Sequence, residues 1–148
     1  MVKKFEILPH TADVRLKVFG KTKEELFKNA MLGMAKILAK SPKSKLKIKN
    51  FPPKADQPLV EKLKIKSPDI NSLLVDFLSE VLYQSQINHA VFKEVNFSNF
   101  KETELEAEIS GFKIGEFDND IKAVTYHELE IKKSPAKGFF ETIIVFDI

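Results

Sequence analysis

Hydrophobic residues in this sequence recur with helical spacing in two segments and alternate with polar residues in most of the others. The helical spacing covers two sets of residues: Leu26, Phe27, Ala30, Met31, Met34, Ile37 and Leu38 in the first segment, and Leu73, Leu74, Phe77, Leu78, Val81 and Leu82 in the second. A stripe of this kind lies on one face of an α-helix and predicts burial of that face. We therefore expect two amphipathic helices, with the methionine pair of the first helix packed in the core rather than forming a soft-metal site.

The residues before each stripe favour a helix start at that point. Thr22 is followed three positions later by Glu25, which is the spacing of a capping box. Before the second stripe, Ser67-Pro68-Asp69 offers either Ser67 or Asp69 as the N-cap. Residue chemistry and periodicity therefore predict the same two helix starts.

Alternating segments predict strands around these helices. Their apolar residues are Phe5 and Ile7; Val14, Leu16 and Val18; Leu59, Leu63 and Ile65; and Leu105, Ala107 and Ile109, the last three alternating with glutamates. Residues 121–131 and 139–148 are also β-rich, and the uninterrupted apolar run Ile143–Phe146 predicts an internal strand covered on both faces. Two helices separated by strands and followed by a block of strands argue for an α+β fold. We expect a single domain, residues 1–148, with a mostly antiparallel sheet packed against two amphipathic helices.

The composition limits the classes of function. A length of 148 residues suits one domain, and the absence of cysteine excludes disulfides, thiolate catalysis and iron–sulfur clusters. The formal net charge of +3 is too weak to indicate nucleic-acid binding, and Arg15 is the only arginine. The first residues contain no apolar signal region, and no apolar run approaches the roughly 20 residues of a membrane span. We therefore expect a cytoplasmic protein.

The sequence lacks the common catalytic and nucleotide-binding motifs. It contains five glycines, and they form neither a phosphate-binding loop nor a dinucleotide fingerprint. There is no nucleophile elbow and no paired-histidine zinc motif, and His10, His89 and His127 lack metal-ligand spacing. Any site must therefore come from residues that the fold brings together.

Oxygen ligands near the two ends of the sequence are the first candidates for a site. Asp13 follows His10-Thr11-Ala12 in a predicted turn, where an aspartate caps backbone groups more often than it binds a cation. Asp147 and the terminal α-carboxylate of Ile148 would join Asp13 if their strands pair. Such a set of oxygens suits Ca²⁺, Mg²⁺ or Mn²⁺, although most terminal residues are frayed and uninvolved.

The polar residues of 121–127 are the second candidates. Lys122, Thr125 and His127 could line a pocket, and the alternative is an ordinary strand with a solvated polar face. The lysines between Lys40 and Lys49 likewise form either a solvated surface or an RNA contact.

At these segments the sequence resembles the archease family. The matching motifs are His10-Thr11-Ala12-Asp13, Glu25-Leu26-Phe27, Leu73-Leu74-Val75 with Phe77-Leu78, Ile121-Lys122-Ala123-Val124-Thr125-Tyr126-His127, and Val145-Phe146-Asp147-Ile148. They follow the order of the family over essentially the whole chain. The lysine-rich residues 40–49 and the proline-rich stretch after them match poorly.

The resemblance implies an accessory protein rather than an enzyme. Archeases activate an RtcB-type RNA ligase in tRNA splicing and RNA repair, promoting guanylylation of the ligase and its repeated turnover. The resemblance implies a bound divalent cation, Ca²⁺ first with Mg²⁺ or Mn²⁺ as alternatives, held by Asp13, Asp147 and Ile148. It assigns a functional role to Lys122, whereas His10, Thr125 and His127 match the motif without an assigned role.

The implied partners are the RNA ligase first and a tRNA cytosine methyltransferase second, the latter served in a chaperone-like role. The association with tRNA is indirect, and no membrane is involved. Two other functions stay open from the residues themselves. They are a metal-dependent phosphohydrolase that uses Asp13, Asp147 and Lys122, and a general RNA-binding or chaperone module.

Overall fold

The described part of the chain forms two α-helices and two antiparallel sheets. The structure is a computed structural model that describes residues 3–8, 13–39, 58–117, 119–127, 129–135 and 137–148. In chain order the elements are β1 (Phe5–Leu8), β2 (Asp13–Gly20), α1 (Lys23–Leu38), β3 (Leu59–Lys66), α2 (Ile70–Asn88), β4 (Ala90–Phe100), β5 (Glu104–Lys113), β6 (Ala123–Thr125), β7 (Lys132–Lys133) and β8 (Phe140–Asp147).

Both helices begin at predicted caps. The hydroxyl of Thr22 accepts a hydrogen bond from the N–H of Glu25 at 3.0 Å, and the Glu25 carboxylate accepts one from the N–H of Lys21 at 2.9 Å. Of the two candidates for α2, Asp69 is the N-cap, and its carboxylate accepts from the N–H of Ser72 at 2.7 Å. Neither helix is long and apolar enough to cross a membrane, within the ranges that the structure describes.

Strand β8 is an internal strand of the first sheet, as β2 is. This sheet has the order β1-β2-β8-β6, and β7 pairs with β8 as well. Ile144, Val145 and Phe146 are buried, which confirms the strand covered on both faces that the apolar run predicts. The second sheet has the order β3-β5-β4, and the exposed side of its β3–β5 pair matches lysines with glutamates: Lys62 with Glu108, Lys64 with Glu106 and Lys66 with Glu104.

One hydrophobic core joins the helices to both sheets. Helix α1 contacts β2 and β8 of the first sheet and β4 of the second, and α2 contacts β3, β4 and β6. Every residue of the two predicted stripes is buried, including Met31 and Met34. Gly33 brings α1 directly against β2, because a Cβ at this position would lie 2.5 Å from the Leu16 side chain. The α+β class with two amphipathic helices is therefore confirmed.

Three details of the fold differ from the sequence-based expectations. The strands form two sheets rather than one, because alternation identifies the buried face of a strand and not the strand it pairs with. Of the described residues between 121 and 131, only Ala123–Thr125 form a strand, although the segment is β-rich. Asp13 is the first residue of β2 rather than part of a turn. The lysine-rich residues 40–49 lie outside the described residues.

Candidate functional site

Two aspartates from opposite ends of the sequence face each other at one end of the first sheet. Asp13 begins β2, Asp147 ends β8, and the two are register partners in the antiparallel pair. On the other side of β8, Ala123 at the start of β6 is the register partner of Asp147. Directly opposed residues point to the same face of a sheet. Asp13, Asp147 and Ala123 therefore form one row across three strands, which we call the carboxylate row.

The hydrophobic register fixes the face on which the carboxylate row lies. In the neighbouring row, Val14 pairs with Phe146, and Phe146 pairs with Val124. All three belong to the hydrophobic core or pack against it, so this row points toward the helices. Successive residues of a strand point to opposite faces. The carboxylate row therefore lies on the outer face, and a slip of one residue would turn it into the core.

The carboxylate row suits a hard divalent cation in its chemistry. Asp13 is half-buried with its Oδ1 atom inaccessible to solvent, whereas Asp147 and Ile148 are exposed. Two carboxylates on opposed residues offer the oxygen ligands that Ca²⁺, Mg²⁺ and Mn²⁺ prefer. Among the described residues, no three Asp, Glu or His side chains converge as a metal-binding group. A cation here would need further oxygens from the main chain, the partner or water.

Lys122 lies immediately beside the carboxylate row. Its backbone N–H donates a hydrogen bond to the carbonyl of Asp147 at 2.7 Å, and its side chain is exposed. The backbone of Lys122 therefore lies beside Asp147, and its exposed side chain is accessible to phosphate or carboxylate groups of another molecule.

The other residues of the matched motifs lie in different settings. The Thr125 hydroxyl donates to the carbonyl of Val145 at 3.0 Å and accepts from the N–H of His127 at 3.3 Å. The Thr125 side chain thus links β6 to β8 by a hydrogen bond. The His127 side chain is exposed. His10 lies outside the described residues.

Arg15, the only arginine, lies two residues after Asp13 in β2 and therefore on the same outer face of the sheet. It is the register partner of Val145, which in turn pairs with Thr125. Arg15 is not among the site residues that the sequence predicts. The two-residue period of a strand would have found it, because residues 13 and 15 of one strand share a face.

Asp76 on α2 is a second residue outside the set that the sequence predicts. Its Oδ1 accepts a hydrogen bond from the Tyr126 hydroxyl at 2.6 Å, and its Oδ2 accepts one from the Ser67 hydroxyl at 2.5 Å. The hydrogen bond to Asp76 raises the pKa of Tyr126 above its usual value, and partial burial and the negative charge of Asp76 act in the same direction. This contact links α2 to the segment that contains Lys122.

Comparisons with known proteins agree with the sequence motifs. The family model described as the archease protein family matches residues 5–148. The archease of Methanosarcina barkeri is 36% identical, with 97% of this chain and 95% of that protein covered. The archease of Thermoplasma acidophilum is 32% identical, with coverages of 97% and 93%.

Solved structures share the fold. The solution structure of a Methanobacterium thermoautotrophicum protein matches with a TM-score of 0.68 at 24% identity, covering 99% of this chain and all of that one. The crystal structure of a Thermotoga maritima archease, described as a possible chaperone, matches with a TM-score of 0.63 at 18% identity, covering 95% and 94% of the two chains. At these identities the likeness shows the fold alone.

We expect the phenol of Tyr126 to ionise above the usual value of about 10. The Asp76 carboxylate accepts a hydrogen bond from the protonated phenol and repels the phenolate, so the contact contributes to stability below pH 10 and is lost as the pH rises through the raised pKa. The measurement is a phenolate absorbance titration in a Tyr83→Phe background, where Tyr126 is the only tyrosine. Asp76→Ala should lower the midpoint, and Glu80→Ala on the same helix should leave it unchanged. Equal midpoints with and without Asp76 would contradict the contact.

Proposed function

Because this chain belongs to the archease family, we propose that it is an accessory protein that activates an RtcB-type RNA ligase. In this proposal the protein promotes guanylylation of the ligase and its repeated turnover in tRNA splicing and RNA repair. The protein itself is not the enzyme. It contributes a divalent cation and a lysine to the partner, and it associates with tRNA only through that partner.

The single observation that supports this proposal most is the pairing of Asp13 with Asp147. Two carboxylates held on opposed residues at the open end of a sheet can hold a cation at the protein surface rather than in a closed structural site. The family resemblance adds the carboxylate of Ile148, which is the residue next to Asp147 and is exposed. A divalent cation bound here would offer a concentrated positive charge to phosphate or carboxylate oxygens of the partner.

Lys122 supplies the second part of the proposal. Its backbone is bonded to Asp147 and its side chain is exposed, so its ammonium group and the proposed cation would act on the same region of a partner. Lysine is a compact point charge that interacts with phosphate from many directions. An accessory protein that completes the electrostatics of another active site needs such groups and needs no nucleophile or general base of its own.

A chaperone-like role toward a tRNA cytosine methyltransferase is the second candidate function. The observation that favours it is the description of the Thermotoga maritima protein of the same fold as a possible chaperone. Such a role would require the methyltransferase to change its assembly or specificity when this protein binds. It would not require Lys122 or a cation, and this difference separates the two candidates experimentally.

We predict that Asp13→Asn and Asp147→Asn each weaken Ca²⁺ binding by at least about tenfold, since each removes a charged oxygen ligand. The measurement is calorimetric titration with Ca²⁺, and the matched control is Glu108→Gln on the exposed side of β5. Residues added after Ile148 should also weaken binding, because they replace its carboxylate with an amide. Unchanged affinity in both aspartate variants would eliminate the carboxylate row as the cation site.

We predict that Lys122→Ala and Asp13→Ala abolish ligase activation while the protein stays folded. Lys122 is exposed and Asp13 is only half-buried, so each substitution should cost about 1 kcal/mol or less of unfolding free energy. The measurement is multiple-turnover RNA ligation with GTP and Mn²⁺, beside a thermal melt of each variant. Lys62→Ala, an exposed lysine of the second sheet, is the matched control.

Two outcomes would contradict this prediction. Normal activation by both variants would mean that the site is wrong. Loss of activation together with a fall in stability like that of Phe77→Ala, roughly 3–5 kcal/mol, would mean that the two residues are structural.

A further inference from the structure

Helix α2 is bonded through side chains to residues 121–131, which we call the β6 segment. Gln86 Nε2 donates to the carbonyl of Ile121 at 3.0 Å, and Asp76 accepts from the Tyr126 hydroxyl at 2.6 Å. Further along, Asn71 Oδ1 accepts from the N–H of Ile131 at 3.0 Å. The β6 segment is therefore bonded to α2 near its start, at its middle and at its end.

The spacing of the first two contacts matches the geometry of both elements. Ten residues of helix from Asp76 to Gln86 rise about 15 Å. Five residues of extended chain from Ile121 to Tyr126 span about 16 to 17 Å. The β6 segment can therefore run antiparallel to α2 in extended form between the two contacts. Lys122 and β6 lie between these two bonded points.

Backbone pairing with β8 covers only part of the β6 segment, and the Thr142 hydroxyl of β8 also donates a hydrogen bond to the Glu130 carbonyl at 2.9 Å. Strand β6 has three residues, and Lys122 lies just before its first residue. The backbone bond from Lys122 to Asp147 is at the end of the sheet, where strands open most readily. Short edge pairing of this length is weak by itself, so contacts from outside the sheet add to the hold on Lys122.

The two side chains of α2 are themselves suited to hold the segment. The second oxygen of Asp76 accepts a hydrogen bond from Ser67, and this bond fixes the orientation of the carboxylate that contacts Tyr126. At the other end, Ile121 is fully buried, so its carbonyl has a fixed position from which to accept the Gln86 hydrogen bond. A buried residue on one side of Lys122 and an oriented carboxylate beyond β6 restrict the backbone of the residues between them.

We infer that Asp76 and Gln86 are positioning residues that hold Lys122 beside the Asp13–Asp147 pair. They act through the β6 segment, Gln86 on the backbone of Ile121 and Asp76 on the side chain of Tyr126, and touch neither a cation nor a partner. This inference rests on the functional role proposed for Lys122. In this inference α2 has a second role besides packing in the core, because polar residues of the helix determine the position of Lys122.

The first test measures the position of Lys122 without any ligase. Amide hydrogen exchange of the Lys122 N–H, followed by NMR, should become roughly 2- to 10-fold faster in Gln86→Ala and in Asp76→Ala, as expected for loss of one hydrogen bond. Asp76→Asn keeps an oxygen acceptor for Tyr126 and should exchange like the wild type. Glu80→Ala and Gln84→Ala are matched controls, because the Gln84 side-chain amide bonds to Glu80 within the same helix. Unchanged exchange in both Gln86→Ala and Asp76→Ala would overturn the inference.

The second test asks whether positioning matters for activation. Gln86→Ala and Asp76→Ala should reduce ligase turnover several-fold, with Asp76→Asn restoring it. Normal turnover despite faster exchange would overturn action through Lys122. If Lys122→Ala itself activates normally, the proposed function of Lys122 fails, and the exchange measurement still decides whether α2 holds the segment.

Discussion

The antiparallel pairing of β2 with β8 is the interaction on which the rest of this structure depends. The pair runs in continuous register from Asp13 opposite Asp147 to Gly20 opposite Phe140, so it joins an early strand to the last one. Its core-facing residues meet α1, and β8 in turn carries β6 and β7 on its other edge. The same register that buries the apolar residues also turns both aspartates outward. Core packing and the carboxylate row are thus two consequences of one pairing.

The residues beside this pair are held by polar side-chain contacts as well as by the sheet. Thr125 bonds to β8, whereas Gln86 and Asp76 bond the segment around Lys122 to α2. Side-chain hydrogen bonds hold an irregular segment at a few residues. Backbone hydrogen bonds between paired strands instead fix the position of every residue and the face to which its side chain points. This difference explains how an exposed lysine can lie next to a sheet without belonging to a regular strand.

The sequence predicts the helices and strands that nearby residues determine. It does not predict features that depend on contacts between distant parts of the chain. Thr22 and the stripe behind it identify α1 by themselves, because caps and 3.6-residue spacing lie within one segment. The division into two sheets depends on long-range pairing, which alternation does not encode. The β6 segment is rich in β-branched residues, which predict a strand, yet side-chain hydrogen bonds to α2 and β8 hold much of it in place of backbone pairing. Asp76 and Gln86 resemble ordinary polar residues of a helix surface, so only their contacts reveal a role.

The most direct test of this account is to locate a bound cation by paramagnetic broadening. Substoichiometric Mn²⁺ added to ¹⁵N-labelled protein broadens the amide resonances nearest the metal. We predict selective loss of the signals of Val14, Ala123 and Ile148, which flank or belong to the carboxylate row. The competing acidic surface is the exposed side of β5, where Glu104, Glu106 and Glu108 face the lysines of β3. Broadening centred on these glutamates, or spread evenly over the protein, would contradict the account.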